Sequence, residues 1–506
     1  MYGKTVIKDG HPFNESTPEL SFNMMPKEYI PQDKRKKVLL VTDDIRVHSG
    51  VAQIGRETVL GSIHHFNWVA IAGAVKHPEF GKVIDMSAEC NKLKGMNDAY
   101  VKLYPAHGYG EPGFLKQIIK MEKPDCILLI TDPRYFVWLF SMEDEIRQDI
   151  PIAYLNIWDD FPAPQYNEEF YESCDLLMGI SKQTKLINEI VLGDKAKNKI
   201  IEYVPHGLNS NFFFPVDEKH EKFEVLKKFQ YDHNIEEKEF RLLFNSRNIR
   251  RKQVPDTILS WRLFTEQLSP EERKNVQLIL HTEPSSDHGT DLIAVIDYFS
   301  IGSDGYEYDD IVFSEKKYST EFMNYLYNSV DGVILISSAE GWGLALTESL
   351  LSGTPFIANV TGGMQDQMRF IDNEGNWFTP SIDIPSNHRG TYKKCGEWAL
   401  PVFPTSRSIQ GSVPTPYIFD DRCDTDDVAK QIMNLYKMGK EKRKEIGLKG
   451  SEWARSDEAG FTHEHQAKRI SKHIDKLLET WEPREKFEFL KDTDYKKRVL
   501  RHKLIY

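Results

Sequence analysis

Two glutamates eight residues apart bracket a glycine-bearing turn in Glu340-Gly-Trp-Gly-Leu-Ala-Leu-Thr-Glu348. The run Val333-Ile-Leu-Ile-Ser-Ser338 directly precedes them and reads as a strand, so the turn should open a helix. Such a helix start exposes unpaired backbone N–H groups and the positive end of the helix dipole, which suits an anion such as a diphosphate. Glu340 falls in the turn. Glu348 falls further along the helix, where it can accept hydrogen bonds from sugar or ribose hydroxyls. A ligand both phosphorylated and hydroxyl-rich, such as a nucleotide sugar, fits this pattern. An ordinary strand–loop–helix with two solvated glutamates fits it as well.

A second group, Phe244-Asn-Ser-Arg247-Asn-Ile-Arg-Arg-Lys252-Gln253, also follows a strand and precedes a helix. Arg247 and Lys252 there would neutralise a leaving diphosphate. Cations oppose the dipole at a helix start, so a purely structural reading is unattractive. A third group, His48-Ser-Gly50-Val-Ala-Gln-Ile-Gly55-Arg56, is a small-residue turn that lets a helix start approach a phosphate or sugar closely. A fourth, Asn156-Ile-Trp158-Asp159-Asp160, ends a strand with two carboxylates. Asp159 either orients an acceptor hydroxyl or caps the next segment. Gly108-Tyr-Gly110-Glu-Pro-Gly113 satisfies Gly-x-Gly-x-x-Gly only literally. It does not open the first βαβ unit, and Pro112 sits inside it, so it reads as a helix-entry loop. His107 beside it faces either the cleft or solvent. No metal set is expected. Asp424-Thr-Asp426 reads as a helix start, and Asp492-Thr-Asp494 follows no strand.

These groups need strands and helices to hold them. A chain of 506 residues exceeds one core, and its 40% apolar content is enough for two. Short apolar runs at Val38–Thr42, Trp68–Ala72, Cys126–Ile130, Ile152–Leu155 and Asp175–Gly179 alternate with helical stretches. A second series covers Arg241–Asn245, Val276–His281, Gly332–Ile336 and Pro355–Ala358. That alternation predicts α/β architecture: two doubly wound, Rossmann-like domains facing a cleft. The boundaries fall at 1–210, 211–440 and 441–506, the last being C-terminal helices packing back on the first domain. The stretch Asp372 to Asp421 breaks the pattern and reads as a long functional loop or insertion.

A net charge of -12 argues against a general polyanion binder, although Lys34–Lys37 and the Lys486–Lys503 tail are locally basic. Five scattered cysteines without Cys-x-x-Cys indicate a reducing compartment. No signal-peptide core or membrane-length apolar run is present. The expectation is a cytoplasmic protein, in host cytoplasm if the source is a phage.

Together these residues resemble the retaining glycosyltransferases of the GT-B fold, in particular the large family 4. Glu340 to Glu348 matches that family's Glu-x7-Glu element. Arg247 and Lys252 match its Gly-Arg-x4-Lys element, with Ser246 in place of the glycine. Val204-Pro-His-Gly207-Leu-Asn209, with Phe213 and Pro215, is similar to its hinge. The resemblance implies transfer of a hexose or pentose from a nucleotide-diphosphate sugar, a UDP-sugar foremost, without a metal. Arg247 and Lys252 would bind the diphosphate and Glu348 the ribose. Glu340 would lie near the donor sugar. Gly50, Gly341, Trp342, Gly343 and Leu344 would complete the pocket. Where many members carry a catalytic-loop histidine, this chain has Trp158-Asp159, which leaves His107 as the substitute and Asp159 as a further catalytic candidate. The opening Thr42 to Val51 is similar to glycosyltransferases of large tailed phages, which implies hydroxymethylated pyrimidine in DNA as acceptor. A glycan or lipid acceptor, or a non-catalytic nucleotide-sugar or DNA binder, are the alternatives.

Overall fold

The computed structural model describes residues 29–485 except 236, 301–309, 385–387 and 389. The Lys486–Lys503 tail and Asp492-Thr-Asp494 lie outside the described residues.

The first sheet contains β1 (Lys36–Asp43), β2 (Phe66–Ala74), β3 (Ile84–Asp85), β4 (Val101–His107), β5 (Cys126–Ile130), β6 (Ile152–Asn156), β7 (Leu176–Gly179) and β8 (Ile200–Tyr203). Their order is β3-β4-β2-β1-β5-β6-β7-β8, parallel except for the edge strand β3. The second sheet contains β9 (Phe240–Asn245), β10 (Val276–His281), β11 (Ile311–Phe313), β12 (Gly332–Leu335), β13 (Phe356–Asn359) and β14 (Ala399–Val402). Its order is β11-β10-β9-β12-β13-β14, parallel throughout. Val38, Leu39, Leu40 and Val41 of β1 are all buried, as are Leu242, Leu243 and Phe244 of β9. Helices cover both faces of such strands, so the apolar run is continuous rather than alternating.

In each sheet the strand order reverses beside the first strand. β1 pairs with β2 on one side and β5 on the other, and β9 pairs with β10 and β12. Loops leaving these strands at their carboxyl ends diverge to opposite faces and leave a crevice where ligands bind. The loops after β1, β9 and β12 are the three that carry the His48–Arg56, Arg247–Lys252 and Glu340–Glu348 groups.

Two expectations change. Residues 372–421 are not a featureless loop: they contain β14 and a hairpin of β15 (Ser406–Ser412) and β16 (Thr415–Arg422). β15 carries mostly exposed polar side chains, so no apolar alternation marks it. The literal Gly-x-Gly-x-x-Gly does follow a strand. β4 contains Pro105, tolerated because β3 pairs only with Lys102 and Leu103 and leaves that end of β4 open on one side. As expected it opens a helix, Pro112–Glu122, from glycines at positive φ. Asp424 caps the helix Thr425–Lys437, accepting from the amide of Asp426.

The two C-terminal helices part company. Gly439–Arg455 stays with the second domain, its Gly450 lying against Trp398 and Leu350. His463–Thr480 alone crosses back, against the helix Gly50–Ser62, where Gly61 leaves room for Ala467. None of the described helices is long and apolar enough to cross a membrane. The return passes Gly207 at very close range: a Cβ there would stand 2.1 Å from the carbonyl oxygen of Thr462. Gly207→Ala is therefore expected to cost about 1–3 kcal/mol by overpacking, read as a lower melting temperature with unchanged secondary structure by circular dichroism.

Candidate functional site

Glu340 is the centre of the seam between the domains. Its carboxylate takes a hydrogen bond from Arg251 Nη1 at 2.8 Å and is paired with the Lys252 ammonium. Asp159, from the loop after β6, accepts from the amide of Gly341 at 2.9 Å and lies 3.8 Å from Arg251 Nε. Two cations and two carboxylates from three loops thus form one cluster. Burial disfavours the charge on Glu340, but Arg251 and Lys252 outweigh it and hold its carboxyl down at about 2. Asp159 moves the other way: burial raises it against the pull of Arg251.

Asp159 neither caps its own segment nor stands free. It takes the turn amide that the sequence reserves for an anion. The turn can come this close because it lacks side chains. A Cβ on Gly341 would meet the Ile157 carbonyl at 2.7 Å, and Gly343 needs φ +84° to start the helix Leu344–Leu351. Trp342 contributes only backbone, because its ring is buried and its indole N–H donates to Thr347 Oγ1 at 2.8 Å.

Glu348 lies apart from this cluster. Tyr327 donates its hydroxyl to Glu348 Oε2 at 2.6 Å, and Asn245 at the end of β9 donates to the same oxygen at 3.3 Å. Burial lifts its carboxyl to about 7, with Tyr327 pulling weakly the other way. Glu348 lines an interdomain cavity of about 220 Å³. The first domain supplies Val47, His48, Ser49, Gly50, Gln53 and Arg56 to its walls. The second supplies Phe213, Tyr318, Thr320 and Met323 beside Glu348. Gly50 is where the two helix starts meet: a Cβ there would stand 3.1 Å from the side chain of Leu344.

The remaining predicted residues separate. Arg247 is exposed and takes no part in the Glu340 cluster, where Arg251 stands instead. The Arg250-Arg251-Lys252 run gave no spacing signal to single out Arg251. His107 does not join either group. It is exposed at the end of β4, stacks on Phe80 at 4.3 Å between ring centroids, and its Nδ1 accepts from the amide of His77. Trp158 is buried and donates to the carbonyl of Asp160. Among the described residues, no three His, Cys, Asp or Glu side chains gather as metal ligands would.

A second contact crosses the same seam. Thr361 Oγ1 lies 2.8 Å from Asp160 Oδ2 and 3.1 Å from Asp421 Oδ2, all three residues fully buried. One hydroxyl has one proton, so one of the two carboxyls must carry its own. Arg407 holds Asp421 at 2.7 Å, which leaves the proton on Asp160. Burial, and then the Asp421 charge, raises Asp160 to about 7. The sequence marked Asp160 only as Asp159's neighbour.

No protein family's sequence profile matches this chain, and no curated protein matches it significantly. Solved structures do. A sucrose-phosphate synthase from Thermosynechococcus elongatus superposes with TM-score 0.59 at 15% identity, covering 88% of this chain and 100% of that one. Anabaena HepE, solved with UDP and glucose, gives 0.58 at 15% identity with the same coverage. An Escherichia coli structure with bound UDP-2-fluoro glucose gives 0.56 at 11% identity, covering 89% of this chain and 100% of that one. The fold is GT-B. The two parallel sheets with their covering helices are the fold that this chain has in common with these neighbours.

The shared proton has a measurable consequence. A carboxyl kept protonated by the fold stabilises it fully below the ordinary value of 3.8, and that contribution is lost as pH rises through about 7. The melting temperature of the wild type is therefore expected to fall between about pH 4 and 7. Asp160→Asn, which needs no titratable proton to meet the same partners, should flatten that fall in part, with Glu348 and Asp366, both also raised by burial, contributing to what is left. An unchanged slope in the variant would refute the shared proton.

Proposed function

We propose that the protein is a glycosyltransferase that moves a sugar from a UDP-sugar to a hydroxyl acceptor, with retention at the sugar carbon. The observation that carries this reading is the placement of Glu348. A carboxyl oriented by Tyr327 and Asn245 opens into the interdomain cavity, beside two helix starts and a loop rich in Arg and Lys. A vicinal diol donates to such a carboxyl, while the helix starts and cations take the phosphates. Structural neighbours solved with UDP, glucose and UDP-2-fluoro glucose support the donor class.

In this reading Glu348 orients the ribose. Arg247, exposed at the loop after β9, and Lys252 stabilise the negative charge that develops on the leaving diphosphate, with no resident metal needed. Donor entry draws Lys252 partly away from Glu340 and frees that carboxylate for sugar hydroxyls. Asp159 lies across the seam from Glu340 and holds the turn amide until the donor claims it. As for acceptors, Arg35, Lys36 and Lys37 are paired with Asp98, Asp125 and Glu122. This basic cluster thus offers no open row of cations to a DNA backbone.

Glu348→Ala and Arg247→Ala are each expected to lower turnover of the preferred UDP-sugar by about 10- to 100-fold, the worth of a hydrogen bond to a charged group, with unchanged melting temperature for Arg247→Ala. Near-normal UDP release by both variants would sink the assignment.

The Glu348 carboxyl also gives a signature that needs no acceptor. A diol favours the ionised form, so UDP binding pulls a carboxyl that titrates at about 7 downward and releases protons. Calorimetry near pH 6.5 in buffers of different ionisation enthalpy should show net release by the wild type and a smaller release, that of the UDP phosphate alone, by Glu348→Gln. Equal release by both would dissociate Glu348 from the ligand.

A further inference from the structure

The wall of the cavity opposite Glu348 carries a cation, Arg56, that makes no direct ion pair among the described residues. Arg56 follows Gly50 and Gln53 at three-residue spacing on the helix Gly50–Ser62, so all three share one face, and all three line the cavity. Its guanidinium makes one weak hydrogen bond, Nη1 to the Ile45 carbonyl at 3.3 Å. Among the described residues no carboxylate lies within ion-pair distance. The adjacent Glu57 is buried and lends Arg56 a favourable charge, but makes no hydrogen bond or ion pair with it. The carboxylates of the preceding loop are occupied: Asp43 by the hydroxyls of Ser49 and Tyr109, Asp44 by Arg46 and His77.

Two further basic groups, His48 and Lys317, stand near it. His48 lines the cavity mouth, and burial followed by the nearby charges of Arg56 and Lys317 disfavours its protonation. The start of the 13-residue helix, capped by Ser49, adds its positive dipole end. This concentration stands out in a chain with 77 acidic and 65 basic residues. Burial disfavours the charge on this guanidinium and Glu57 offsets that only in part, so an anionic ligand would complete it. Arg251 and Lys252 are already balanced by Glu340 and Asp159. Among the residues that line the cavity, the cation without an ion pair therefore lies on the first domain.

We propose that Arg56, with His48 and Lys317 at the rim, binds the diphosphate of a nucleoside diphosphate whose ribose diol rests on Glu348. One ligand then grips both domains at once, and the first domain supplies a phosphate ligand of its own. This rests on the reading of the cavity as the donor site.

Calorimetric titration of the full chain with UDP, uridine and inorganic diphosphate tests it. The wild type should bind UDP more tightly than uridine, with UDP affinity falling as salt rises. Arg56→Ala should lose about 10- to 100-fold in UDP affinity and leave uridine unchanged, and Arg56→Lys should recover part of the loss. If Arg56→Ala does not fold, Arg56→Gln keeps most of the stem and makes the same comparison. UDP affinity within twofold of wild type in a folded Arg56→Ala or Arg56→Gln overturns the proposal and leaves the donor reading standing. Arg56-dependent binding of inorganic diphosphate without binding of UDP keeps the anion site but overturns its use for a nucleotide. Binding of none of the three by the wild type overturns both.

Discussion

Everything at the seam depends on the neutralisation of Glu340. Its carboxylate is buried where two domains meet, a position that is prohibitive for an isolated charge. Arg251 and Lys252 make it tolerable, and Asp159 balances the surplus cation. Three loops, after β6, β9 and β12, are held in register by this one requirement. A buried ionic cluster is a poor source of stability compared with well-packed apolar side chains, but it is an effective way to fix geometry, because any misplacement strands a charge. The glycines follow from it: Gly341 and Gly343 are small because the charges must approach, and not the reverse. An anion entering here would meet a pre-balanced set of charges and would have to exchange with a carboxylate rather than fill a void.

Two kinds of acid stand in one cleft. Glu340 is surrounded by cations and stays ionised down to about 2. Glu348, eight residues on, is surrounded by a phenol and an amide and holds its proton to about 7. One is a counter-ion to two cations, the other an acceptor for the Tyr327 hydroxyl and the Asn245 amide. One strand–turn–helix unit positions both, Glu340 in the turn and Glu348 on the helix, and environment alone separates their titration.

The switch-point loops were legible in the sequence because glycines and charges interrupt apolar strands at positions that a parallel sheet must expose. Glu340, Glu348 and Gly50 could be picked out in this way. Arg251 could not: in Arg250-Arg251-Lys252 only the path of the turn decides which guanidinium reaches inward. Arg56 was hidden for a related reason, being a polar residue on a helix whose facing partner belongs to the other domain. Asp160 looked like a repeat of Asp159, yet its role comes from Thr361 and Asp421, 201 and 261 residues away. The hairpin β15–β16 carried no clear apolar period because β15 is mostly exposed and only the Ile418–Phe419 part of β16 reaches a core, that of the first domain. Tyr417 and Phe419 pack on the loop Phe161 to Tyr166 of the other domain, through the amide of Phe419 to the carbonyl of Phe161 and the hydroxyl of Tyr166 to the carbonyl of Tyr417.

The backbone crosses between the domains at Val204–Leu208 and returns at Phe461–His463. The crossings are stitched together by Leu208 N to the Phe461 carbonyl at 3.1 Å and His463 N to the Leu208 carbonyl at 2.9 Å. Two adjacent tethers constrain motion as two pins constrain a door. They permit swing about the line that joins them and resist twist and sliding. Any relative motion of the two domains therefore has essentially one degree of freedom, a swing about the line through the two crossings.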